Sequence, residues 1–147
     1  MDSKLDLSTC ETCVCLNLRK TSRAITQVYD RALQPVGLRA TQFAILVVAA
    51  RAQTITITNL ARHLVMDRTT LTRNLRPLGK QGWIKITRGA DQRTRFISLE
   101  KGGEEMLARA LPLWRKAQER FVNGLERDRF RVLLGVLSET VRIAQEE

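Results

Sequence analysis

Several things that catalysis or membrane insertion would need are scarce in this sequence. It has one histidine, His63, and three cysteines among 147 residues. No nucleophile–base pair, glycine-rich phosphate loop or closed zinc quartet can be assembled from its motifs, so an enzyme is not expected and no cofactor or metal is assigned. Aromatics make up only 5%, which argues against a single-strand binder that stacks bases on rings. No apolar run reaches the ~18 residues of a membrane span; the stretch from Phe43 to Ala50 is too short. The opening residues, MDSKLDLSTCE, are polar and partly acidic, unlike a secretory leader. A cytoplasmic location follows as the expectation. With it comes the expectation that Cys10, Cys13 and Cys15 are reduced thiols rather than structural bridges.

What is present is charge of one sign. The length suits a single domain, and 44% hydrophobic and 27% charged residues are ordinary. A net charge of +10 is not; it fits a polyanionic partner. The excess is concentrated. From Arg62 to Arg95 there are nine Lys or Arg against two acids, Asp67 and Asp91, leaving +7 in about a quarter of the chain. A charge run is ordinarily a solvated face. Here it falls on a coherent motif, which favours nucleic-acid contact.

That motif spans Ile57 to Gly103. A short helix, a turn and a second helix rich in Thr and Arg are followed by two β-type runs flanking a basic, Gly-containing loop. This is the order of a helix-turn-helix with a β-hairpin wing, which lays its second helix in a DNA major groove. Asp67 is an apt N-cap for that helix. Leu71, Leu75 and Leu78 are spaced for its buried face, leaving Arg68, Thr69, Thr70, Thr72, Arg73 and Arg76 exposed. Arg can pair with guanine O6 and N7; Thr can offer a hydroxyl to phosphate or a methyl to thymine. For Thr69 and Thr70 the alternative is simple helix capping. The wing runs from Arg88 to Arg95. Gly89 suggests a positive φ in its turn, Arg93 is placed for a narrow minor groove, and Asp91, which phosphate would repel, is expected to brace Arg93. Trp83, Ile84, Ile86, Phe96, Ile97 and Leu99 supply the hairpin strands, with Trp83 in the core.

Long amphipathic helices flank the motif. The first is expected from Ser8, with Ser8 and Glu11 at capping-box spacing, and ends at Pro35 and Gly37. A buried helix follows from about Thr41 to Arg51, then a short strand, Thr54 to Ile57, able to pair with the wing, and a helix from Asn59 to Leu64 capped by Thr58. After the wing, a helix from about Gly103 to Asn123 contains Pro112, where a kink is expected; Gly124 marks a break. The last helix, about Asp128 to Ala144, places Phe130, Leu133, Leu134, Leu137, Val141 and Ala144 on one face. Pro77, late in the recognition helix, predicts a bend beyond the base-reading turns. The fold class is mainly α with a small β-hairpin wing. One domain covers residues 1–147: about 38–100 form the winged helix-turn-helix, and about 8–36 and 103–145 form dimerisation helices. The terminal apolar stripes exceed what so small a head can cover, and the simplest cover is a second copy.

These residues resemble the MarR family of bacterial transcriptional regulators. The resemblance rests on Leu60-Ala61, the run MDRTTLTRNL (Met66–Leu75), Gly82-Trp83-Ile84, the Asp91-x-Arg93 wing, and Leu99 with Gly102. It extends over nearly the whole chain. Asn59, Gly79 and Glu100 depart from the usual Glu, acidic residue and Thr. The resemblance implies a homodimer whose two heads sit in successive major grooves of a pseudo-palindromic operator. It also implies a repressor that releases DNA when a small aromatic ligand or an oxidant acts.

Two routes for the signal emerge. Cys10, Cys13 and Cys15 form C-x-x-C-x-C near a helix start, a position that favours thiol reactivity. On one intact helix Cys10 and Cys13 share a face while Cys15 points about 200° away, so the three cannot converge on one metal. Packing, redox sensing and metal or metalloid binding all remain open. The other route is a ligand pocket between the dimer helices and the head, with Tyr29 or Trp114 as candidate lining. His63 reads as a surface or phosphate-side residue. The reading is a sequence-specific double-stranded-DNA-binding regulator; the alternative is a winged-helix module that binds protein or RNA.

Overall fold

A computed structural model describes residues 5–146. A short 3-10 turn, Ser8–Thr12, leads into α1 (Val14–Leu33), α2 (Ala40–Ala52), β1 (Thr54–Thr56), α3 (Ile57–Leu64) and α4 (Arg68–Lys80). The hairpin β2 (Ile84–Arg88) and β3 (Arg95–Leu99) follows, then α5 (Lys101–Leu125) and α6 (Arg127–Gln145). The order matches the mainly-α winged-helix expectation, and β1 does join the wing: the sheet is antiparallel in the order β1-β3-β2, with Ile55 opposite Ile97.

The core of the head is aliphatic. Ile45 and Leu46 of α2, Leu60 of α3, Leu71, Leu75 and Leu78 of α4, and Ile97 of β3 are fully buried together with Leu33. Each fully buried aliphatic side chain contributes about 1.5–3 kcal/mol, so three helices and the sheet are pinned around one centre. Phe43 stacks on Trp114 with ring centroids 5.8 Å apart, tying α2 to α5. Tyr29 stacks on Phe121 at 5.7 Å and donates its hydroxyl to Gln118, tying α1 to α5. Burial raises the Tyr29 phenol above its ordinary value, so it is a donor at neutral pH. Gly103 lets α5 start against the hairpin. A Cβ there would overlap the Trp83 carbonyl oxygen and the Leu99 side chain.

Several helix ends differ from expectation. The first α-helix does not start at Ser8. Asp6 Oδ1 accepts from the Ser8 amide (3.0 Å), and the following turn breaks at Cys13, whose backbone is extended (ψ 116°). Cys13 itself caps α1, its Sγ accepting from the Leu16 amide at 3.5 Å. The helix-turn-helix begins earlier than expected because Thr56, not Thr58, caps α3; Thr56 Oγ1 accepts from the Asn59 amide at 3.1 Å. The α2 start is held from outside, by Asp30 of α1, which accepts from the Ala40 amide at 2.7 Å and pairs with Arg39 at 3.7 Å. α5 runs through Pro112 and through Gly124, and stops at Glu126, whose φ of 65° turns the chain into α6. α4 likewise runs through Pro77 to Lys80.

Candidate nucleic-acid interface

The recognition helix is oriented by its cap and its core face. Asp67 Oδ1 accepts from the Thr70 amide (2.8 Å) and Oδ2 from the Thr70 hydroxyl (2.6 Å). Those two bonds, the hydroxyl's first, hold the Asp67 carboxyl below its ordinary value. With Leu71, Leu75 and Leu78 turned inward, the opposite face presents Arg68, Thr69, Thr72, Arg73 and Arg76, which together line an open concavity of about 350 Å³. Thr70 differs from the rest of the predicted set. It is exposed, and its hydroxyl donates to Asp67 within the helix cap.

The wing is built by hydrogen bonds within its own loop. The Gly89 amide donates to the Thr94 carbonyl (2.8 Å), and the Gln92 amide to the Gly89 carbonyl (3.0 Å). Asp91 braces this loop, but through the backbone rather than through the Arg93 guanidinium. Oδ1 accepts from the Arg93 and Thr94 amides (3.1 and 2.9 Å) and Oδ2 from the Thr94 hydroxyl (2.7 Å). The Thr94 hydroxyl, then the Thr94 amide, lower the Asp91 carboxyl below its ordinary value. The positive φ expected at Gly89 sits instead at Gln92, with φ 61°. Arg95 steadies it, donating from Nη1 to the Gln92 carbonyl at 3.0 Å. Gly89 is needed for a different reason. A Cβ there would come within 3.0 Å of the Phe96 ring and 3.2 Å of Asp91 Oδ1.

This arrangement leaves Arg93 exposed at the loop. It also sets Arg88 directly opposite Arg95 in the β2–β3 register. Like charges facing across strands are destabilising by themselves. The ion pairs among the described residues involve Arg39, Arg131 and Arg142, none of them on this face. The surface is therefore cationic and uncompensated, which is the state an anionic partner would relieve.

The remaining predicted residues lie elsewhere. Cys10, Cys13 and Cys15 are exposed free thiols. The break at Cys13 puts Cys10 in the 3-10 turn and Cys15 in the first turn of α1, so Cys10 and Cys13 do not share one α-helical face as expected. Among the described residues no group of His, Cys, Asp and Glu is arranged to hold a metal ion. His63 is not on the face of Arg68 and Arg73. It borders a cavity of about 390 Å³ between α1, α2, α3 and α5, lined also by Tyr29, Phe43, Val47, Arg51 and Trp114. No single helix among the described residues is long and apolar enough to cross a membrane.

Comparison with known proteins gives a consistent picture. Residues 38–94 match the model of the MarR family. The chain is 28% identical over 114 residues to the organic hydroperoxide resistance transcriptional regulator of Bacillus subtilis, covering 77% of this chain and 78% of that protein. The crystal structure of the M. tuberculosis transcriptional regulator MosR in complex with DNA is similar with a TM-score of 0.79 and 35% identity, over 90% of this chain and 98% of that one. The fold is also that of a mutant of E. coli MarR complexed with operator DNA, with a TM-score of 0.81 at 22% identity over 92% of this chain and 99% of that one.

Proposed function

From the premise that this chain belongs to the MarR family, we propose that it is a homodimeric, DNA-binding transcriptional repressor whose grip on a pseudo-palindromic operator is loosened by a small effector. The observation that carries DNA binding is the exposed row Arg68, Thr69, Thr72, Arg73 and Arg76 on α4 beside the uncompensated Arg88, Arg93 and Arg95 of the wing. A helix with such a row suits the major groove, and a wing of arginines suits the minor groove. The assignment is to a regulator rather than a catalyst.

Dimerisation is supported by the apolar surface left open at both ends of the chain. Val14 and Leu16 of α1 are 62% and 53% exposed, and Val132, Leu134, Val136 and Ile143 of α6 between 49% and 65%. Surface of that extent ordinarily meets a partner, and a second copy would place two heads on one DNA face.

Two features suit an effector. The cavity beside Tyr29, Phe43 and Trp114, with Arg51 and His63 at its margin, fits an aromatic ring carrying an acid group. The exposed thiols of Cys10, Cys13 and Cys15 fit an oxidant. A gel shift on the DNA upstream of the protein's own gene tests the reading. Salt-sensitive binding preferring that duplex over single strands is expected; salt-insensitive binding, or preference for RNA, would favour the interaction-module alternative. Adding reductant, peroxide and simple aromatic acids to the same assay separates the two effector routes.

A further inference from the structure

Between the start of α3, the start of α4 and the wing lies a cleft of about 390 Å³. Its walls carry Arg68, Arg93 and Arg95, and no carboxylate is among its lining residues. Thr58 and Asn59 also line it. Of the two other hydroxyls, Thr94's is donated to Asp91, while Thr56 Oγ1 accepts from the Asn59 amide as the α3 cap. The Thr58 hydroxyl has no hydrogen-bond partner among the described residues. Asn59 uses its Oδ1 to accept from Arg62 Nη1 at 2.8 Å, which leaves its amide NH₂ as a donor. The cleft therefore offers donors and cations and almost no acceptors. Arg68 is the one arginine that lines both this cleft and the concavity of the recognition face.

We propose that this cleft seats a single backbone phosphate of the bound duplex, held by Arg68 and Arg95 with the Thr58 hydroxyl. The inference rests on the DNA-binding reading and deepens it. Major and minor grooves are separated by a sugar–phosphate strand. A protein that places α4 in one groove and its wing in the next must let that strand pass between them, and this cleft is the space between them. A phosphate is compact, doubly accepting and anionic, which matches a pocket of guanidiniums and a hydroxyl. Arg68 is thereby a positioning residue for the helix, not a base reader. Arg95, already bonded to the Gln92 carbonyl, couples the seated phosphate to the wing's backbone, so the phosphate fixes the angle between wing and helix.

The test uses the full chain with the upstream duplex that it binds and a random-sequence duplex of equal length. Arg68→Ala is expected to weaken both by the same factor, roughly tenfold, and to lower the slope of log affinity against log salt by about one. Arg73→Ala, on the recognition face alone, is expected to change the ratio between the two duplexes. Neutral methylphosphonates are then placed one at a time along the specific duplex. At one position the loss seen with the unaltered protein should vanish in Arg68→Ala and shrink in Thr58→Val, a coupling that a merely structural role would not produce. The seat is overturned if Arg68→Ala changes the duplex ratio, if the salt slope is unchanged, or if no position shows coupling. Those failures leave DNA binding standing. If the unaltered protein binds neither duplex in a salt-dependent way, the DNA reading itself falls, and the seat with it. All three substituted residues are exposed, and a matching thermal melt confirms that the variants fold.

Discussion

The winged-helix head and the terminal helices are built on opposite terms. In the head, apolar residues face inward and charged ones face out: Leu60, Leu71, Leu75 and Ile97 are fully buried while Arg68, Arg73 and Arg93 are exposed. The terminal helices carry amphipathic faces of the same kind, yet α6 has no buried residue. Both patterns obey the same burial rule; the head satisfies it within one chain, and α6 does not. The head closes its core with help from Leu33 of α1 and Met106 and Ala110 of α5, while the apolar face of α6 stays open. On the proposed function, the first region would read DNA and the second would join two readers.

That contrast breaks most visibly at α6. Leu134→Glu with Leu137→Glu puts two charges on the open face. Sedimentation should show conversion of dimer to monomer, and affinity for a two-site operator should fall by about a hundredfold or more, because the second head loses its tether. The head itself should keep its fold. A variant that stays dimeric would place the interface elsewhere.

Next in size is the inward side of the comparison. Leu75→Ala should cost about 2–5 kcal/mol of unfolding free energy, since the site is closed on all sides. The cost should be the same at every protein concentration. Leu134→Ala should instead give a cost that changes with protein concentration, as expected where folding and association are linked. Identical concentration dependence for both variants would erase the distinction between head and arms.

The same contrast explains what can be read in the sequence. Leu71, Leu75 and Leu78 announce the recognition helix because burial within one chain leaves a regular period. Asp67 is legible because its cap is local. Misreadings cluster where the cause is not local or leaves no letter. The Asp30 carboxylate that starts α2 is ten residues away. Gln53, Val65, Gln92 and Glu126 all take positive φ without being glycine, so the left-handed positions after α2, α3 and α5 and in the wing are not the ones a glycine marks. For the same reason Gly124 suggests a break slightly too soon. Gly89 is special on a ground that its letter does not reveal, since its constraint is the Phe96 ring across the hairpin. At the N-terminus, Ser8 and Glu11 have the spacing of a capping box, but the extended backbone at Cys13 makes the true start of α1.

A third substitution separates reading from joining. Arg93→Ala should reduce operator affinity by about 1–3 kcal/mol, roughly five- to 150-fold, with the dimer unchanged in sedimentation. Unchanged affinity in a gel shift would remove the wing from the interface.

The smallest expected effect lies in the wing loop, and it depends on pH. The Asp91 carboxyl is held below its ordinary value of 3.8, first by the Thr94 hydroxyl and then by the Thr94 amide. The ionised form is thus the one that the folded loop favours. Its contribution to loop order is fully present above the ordinary carboxylate value and is lost as pH falls through the lowered folded-state value. Amide exchange at Arg93 and Thr94 should consequently accelerate only in acid, below about pH 4, while amides of α6 show no such step. Asp91→Asn keeps an acceptor but not the charge. In that variant the acid step should disappear, and exchange at neutral pH should rise modestly at those two amides alone. If the step survives in Asp91→Asn, a group other than Asp91 titrates; if neither protein shows a step and exchange is equal, the Gly89–Thr94 backbone bond orders the loop without the carboxylate.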